Sequence, residues 1–184
     1  MFIASEKYKT NVMEYILYLW QIEDLIRANG FDPELIRVTV VDQFEVGEED
    51  REALMQWYNR WIDVMKKEEL LVSGHMQFLH ELIYELNDLH LNLINDLHQE
   101  EYLEQYRWAK PHIQSLKNRI GVDSMCEIEV CLTGLYGLLL MRLQKKEVSS
   151  GTLESISTFS NLLALLNVRY LAIRNGKNPS GEPV

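Results

Sequence analysis

His75-Met-Gln-Phe-Leu-His-Glu-Leu-Ile-Tyr-Glu-Leu-Asn-Asp-Leu-His-Leu-Asn-Leu-Ile-Asn-Asp-Leu97 is the stretch whose reading decides the fold class. Leucine or isoleucine stands at 79, 82, 83, 86, 89, 93, 94 and 97, the three-and-four spacing that gathers side chains on one helical face. A helix of this length runs roughly 35 Å at ~1.5 Å per residue, enough to span a domain. Ser73 and Gly74 mark the break before it.

The same period continues outward. Upstream, Leu54, Trp57, Tyr58, Trp61, Ile62 and Met65 predict a helix over 48–69, and Val12, Tyr15, Ile16, Leu19, Ile22 and Ile26 predict one over 5–29 that stops at Asn29-Gly30. Between them Asp32 caps and Pro33 opens a short helix. The β-branched run Val38 to Val41 reads as helix or irregular chain, since no second strand exists to pair with it. Downstream, 100–120 reads as a helix bent or split at Pro111. Ser124 and Glu127 form a capping box for a helix to about Lys146, and a last helix ends at Asn175-Gly176. Long helices with short connections predict an all-α fold, an up-and-down helical bundle of six to seven helices, four of them long. Residues 1–176 read as a single domain and 177–184 as a flexible tail. Gly134 and Gly137 offer a shallow surface for a close helix crossing.

With 47% hydrophobic residues, 184 residues can bury a core without staples. A formal net charge of −10 repels nucleic acid, and the densest basic group, Arg142, Lys145 and Lys146, suits a last helical turn, where cations oppose the helix dipole. Cys126 and Cys131, five apart, point roughly 140° from each other on a helix, so they read as separate reduced thiols. Glu6, Lys7 and Lys9 stand where a signal peptide needs an apolar run. The apolar run Val130 to Met141 falls short of the ~20 residues that cross a bilayer. The expectation is therefore a cytoplasmic protein that binds neither nucleic acid nor membrane.

No histidine follows a carboxylate by three residues, which removes the Glu-x-x-His pairs of di-iron bundles, and Tyr84 stands where His80-Glu81 would need a second histidine for zinc-peptidase spacing. The spacing of His80, His90 and His98 permits them to share one groove, but it is not specific, and histidines at a helix surface or boundary that bond their neighbours explain it better. Gly-rich phosphate loops, nucleophile elbows and zinc-spaced cysteines are absent. No metal and no cofactor is expected.

One polar stripe stands out. Glu23 shares a face with Val12, Ile16, Leu19 and Ile26, and a carboxylate buried there needs a partner. Arg27, one turn on, is the local candidate, and Arg169, among the leucines of the last helix, a distant one. A Glu23, Arg27 and Arg169 network reads structurally as an ion cluster that fixes helix register. Read functionally, it is an interhelical ligand pocket with Asp24, Tyr15 and His90 at hand. The ligand-binding candidates are thus Glu23, Asp24, Arg27, His90 and Arg169.

Glu14-Tyr-Ile-Leu-Tyr-Leu-Trp-Gln-Ile-Glu-Asp-Leu-Ile-Arg-Ala28 resembles the first helix of a family of bacterial proteins of similar length, chiefly from Bacteroidetes, known as a domain of unknown function. The resemblance implies a helical fold and a bacterial cytoplasmic setting, and supplies no catalytic residues. The expected mode of action is non-catalytic: self-association, or binding of a protein partner, through an exposed apolar face rich in Trp57, Trp61, Trp108, Tyr58 and Tyr106. Core packing accounts for those aromatics as well. The alternative is a small-molecule-binding protein or enzyme with a polar pocket around Glu23 and Arg27.

Overall fold

Local signals set most helix ends. The computed structural model describes residues 2–96 and 99–177; Leu97, His98 and the expected tail beyond 177 lie outside them. Among the described residues the chain is all-α, with helices α1 (Phe2–Thr10), α2 (Val12–Ala28), α3 (Pro33–Thr39), α4 (Glu48–Lys67), α5 (Gln77–Asn95), α6 (Glu100–Ile120), α7 (Glu127–Leu143) and α8 (Ser150–Arg174). The count exceeds the expected six to seven because the first predicted helix is two. Asn11 adopts an extended backbone, and its side chain accepts from the Glu14 N–H at 3.2 Å while donating to the Glu14 carboxylate at 3.0 Å. That reciprocal cap starts a new helix.

Asp32 caps α3 ahead of Pro33, and Ser149 caps α8 through the Thr152 N–H. Gly30, Gly121 and Gly176 follow helix ends with left-handed φ of 62°, 72° and 71°. The ambiguous valines divide: Val38 lies in α3, exposed, and Val41 begins a single 3₁₀ turn to Gln43, fully buried. α6 runs unbroken through Pro111, where Pro111 and Arg107 are both exposed, so water can reach the carbonyl that loses its donor. The predicted Ser124 box does not form; Cys126 is the N-cap of α7 and offers no side-chain bond.

The chain divides into two compact units, Met1–His80 and Glu81–Val184, with the boundary inside α5. In the first, α1 packs on α2, and α3 with its 3₁₀ turn packs on α4. Val12, Ile16, Leu19 and Ile26 are sealed, each such side chain contributing about 1.5–3 kcal/mol of burial. Trp57 meets Tyr58 and Trp61 edge-on, and Trp61 stacks on Phe78 at 5.5 Å. These aromatics are therefore core and core edge.

In the second unit α6, α7 and α8 pack pairwise. Ile156, Phe159, Leu162, Leu163 and Leu166 of α8 are buried. α8 is also the one described helix long and apolar enough, by length and composition, to cross a membrane. Gly134 permits the crossing of α7 with α8: a Cβ there would lie 2.9 Å from the Phe159 ring and 3.1 Å from Leu116.

Candidate functional site

Among the described residues, Glu23 in the first unit and His90 in the second are fully buried, and each gathers a polar cluster. In the first, Glu23 projects from the apolar face of α2 and is fully buried. One carboxylate oxygen lies 2.5 Å from His75 Nδ1, and the other accepts the Met76 N–H at 2.8 Å. Trp20, one turn earlier on α2, stacks on the His75 ring at 4.2 Å. Arg27 bonds Asp24 at 3.0 Å and donates to the carbonyls of Leu70, at 3.1 Å, and Gly74.

The α4–α5 connection is thereby gripped from α2. Met76 and Gln77 open α5, where N–H groups lack helical acceptors, and carboxylates supply them: Glu23 for Met76, and Glu68 for Gln77 at 2.7 Å. Glu23 takes His75 as its partner in place of Arg27, whose guanidinium is occupied by backbone carbonyls. Arg169 pairs instead with Glu101 at 3.3 Å. The expected three-residue network is thus dispersed among other partners, chiefly because backbone groups of the connecting loop compete for Glu23 and Arg27.

The second cluster centres on His90, fully buried on α5. Its Nδ1 lies 2.7 Å from the Tyr102 hydroxyl and its Nε2 3.0 Å from Glu127. Tyr106 donates to the other Glu127 oxygen at 3.2 Å, and Lys110 sits over the Tyr106 ring at 5.4 Å. One assignment satisfies every partner: Tyr102 O–H donates to Nδ1, and Nε2–H donates to an ionised Glu127. The His90 bond, joined by that of Tyr106, holds the Glu127 carboxyl below its ordinary value against the opposing effect of burial. Burial, with the Glu127 charge second, pushes the Tyr106 hydroxyl up to about 12. Burial likewise raises Tyr102 and the neighbouring Cys131 thiol, so both stay protonated at neutral pH.

Both nitrogens of His90 and both oxygens of Glu23 and Glu127 are engaged within the fold, which suits locking elements together better than proton transfer to a substrate. Among the described residues no three His, Cys, Asp or Glu side chains are placed to hold a metal ion. Sequence reasoning reached Glu23, Arg27 and His90 but missed His75, Tyr102, Tyr106 and Glu127 as their partners. The only local signal was the pairing of Ser124 with Glu127, which misled, because that carboxylate turns to His90 instead of back to its own helix start.

The class is thus all-α among the described residues, with the buried Glu23 and His90 each closed into an internal network. The chain belongs to the family Domain of unknown function (DUF4924), whose model matches residues 1–177. No curated protein and no solved structure gives a significant match.

Proposed function

We propose that the protein acts without catalysis, by pairing with a second copy of itself through the second half of α7. One observation carries this reading. From Thr133 to Met141 α7 has no charged residue and only Leu138 is buried, whereas Ile128 to Leu132, immediately before, is sealed. Leu135, Leu139 and Leu143 recur one turn apart, from half-buried to 68% exposed. Apolar surface left in water forgoes about 25 cal/mol per Å².

Charge selects the occupant. A formal net charge of −10 makes two copies repel over most of their surface, so contact is favoured where charge is absent. Asp123 and Glu127 stand at the amino end of α7, and Arg142, Lys145 and Lys146 at its carboxyl end. Two copies crossing antiparallel about a two-fold axis set each acidic end against the other's basic end, while parallel copies oppose like charges. An up-and-down course for α6, α7 and α8 is supported by their short connections. Two free thiols, and the likeness of the first long helix to bacterial proteins, support a reducing bacterial cytoplasm.

Light scattering behind size exclusion tests the pairing. At about 50 μM the expected mass is twice the 21.7 kDa of the chain. Leu139→Glu is expected to return it to the single-chain mass with an unchanged helical spectrum. A parent protein of single-chain mass at that concentration would sink the proposal.

A further inference from the structure

A cavity of about 420 Å³ lies between α6, α7 and α8, wholly within the second unit. Its walls include Leu116 of α6, Leu138 and Met141 of α7, and Ile156 and Phe159 of α8. Gly137 leaves its side open, since nothing lies within 4 Å of where a Cβ would stand. Size and lining fall in the range of small-molecule sites, largely apolar with a few polar groups.

The charge of the lining is the second observation. The chain carries 28 Asp and Glu against 18 Lys and Arg, yet no carboxylate lines this cavity. Its ionisable residues are Arg119 and His112, and His112 is bonded to Ser155 at 3.0 Å. Thr152 and Ser155 belong to the first turns of α8, the positive end of its dipole. An apolar chamber with a cationic edge, in a protein of opposite overall sign, matches a ligand that is apolar in body and anionic at one end.

We infer that this cavity binds a small amphipathic carboxylate, its hydrocarbon body against Leu116, Leu138, Met141 and Phe159 and its carboxylate at Arg119. The site is independent of the proposed pairing surface. The α7 residues that line it, Thr133, Gly134, Gly137, Leu138 and Met141, centre roughly 170° around the helix from Leu135, Leu139 and Leu143.

Titration calorimetry of the full chain with decanoate, and with decan-1-ol as the uncharged control, tests the inference. Decanoate is expected to bind one per chain, and decan-1-ol about tenfold more weakly, the difference a charge-assisted bond supplies. Arg119→Gln, a change at an exposed position, should bring decanoate down to the affinity of decan-1-ol. Gly137→Leu projects into the open space and should abolish binding of both, with a melting temperature no lower than the parent's. Arg119→Gln keeps the test decisive even if Gly137→Leu lowers stability. Equal affinities for the two compounds, decanoate binding untouched by either substitution, or no saturable binding below about 1 mM overturns the inference.

Discussion

Glu127 stands 37 residues from His90 in the chain, and its carboxylate is where the second cluster meets solvent, with the side chain 32% exposed. Its acidity is strengthened in the folded protein, so its contribution to stability is complete above the ordinary value of 4.5 and is lost as pH falls through the lower folded value. Glu127→Gln should therefore lower stability at pH 7 by about 1 kcal/mol, the scale of a charged hydrogen bond with partial exposure. The gap should narrow as pH falls below 4.5 and close once pH is below the lowered folded value, where the parent's carboxylate is protonated too. Thermal melts of both proteins from pH 7 downward check it, and a gap that does not narrow as the pH is lowered refutes the assignment. At this scale the sequence was half legible. That Glu23 needs a partner follows from its place among Val12, Ile16 and Leu19. That the partner is His75, 52 residues away, or that Arg27 reaches backbone carbonyls, leaves no trace in spacing, because any residue supplies a carbonyl.

Among the elements, α7 holds two glycines three residues apart with opposite surroundings. Gly134 is pressed against the buried Phe159 ring, while Gly137 faces open space. Gly137→Ala should stabilise by about 0.8 kcal/mol, the helix preference of alanine over glycine. Gly134→Ala should destabilise by about 1 kcal/mol, because a methyl 2.9 Å from the buried Phe159 ring and 3.1 Å from Leu116 overpacks the crossing by more than the same preference returns. Urea unfolding of the two variants should show midpoints moving in opposite directions, and movement in the same direction would refute the crossing geometry. Sequence inspection marked both glycines without distinguishing them, since the ring that crowds Gly134 belongs to Phe159, on the next helix. Helix starts were more legible where the cap is local, as at Asp32 and Pro33. At Asn11 the signal was present, an asparagine three residues before Glu14, and the continuous apolar stripe of α2 obscured it. At Ser124 the same pattern was present and did not form a cap, because Glu127 had a buried competitor.

Across the whole molecule, helical period alone fixed the class, and the description is all-α among the described residues. Composition did not foretell that the polar residues would form two separate clusters, since partners 37 to 53 residues apart are joined by tertiary contacts. The aromatic residues expected to mark one interface prove to differ in role: Trp57 and Tyr58 are core, and Trp108 is 64% exposed. One feature of the first cluster reaches beyond local geometry. The Met76 amide proton is given to a carboxylate carried by α2, so it can exchange with solvent only when α2 parts from the start of α5. Its deuterium exchange is then a single-proton gauge of how often the first unit opens. We expect protection close to that of the most protected α2 amides, and in Glu23→Gln a rate about tenfold faster there while amides of α6 keep theirs.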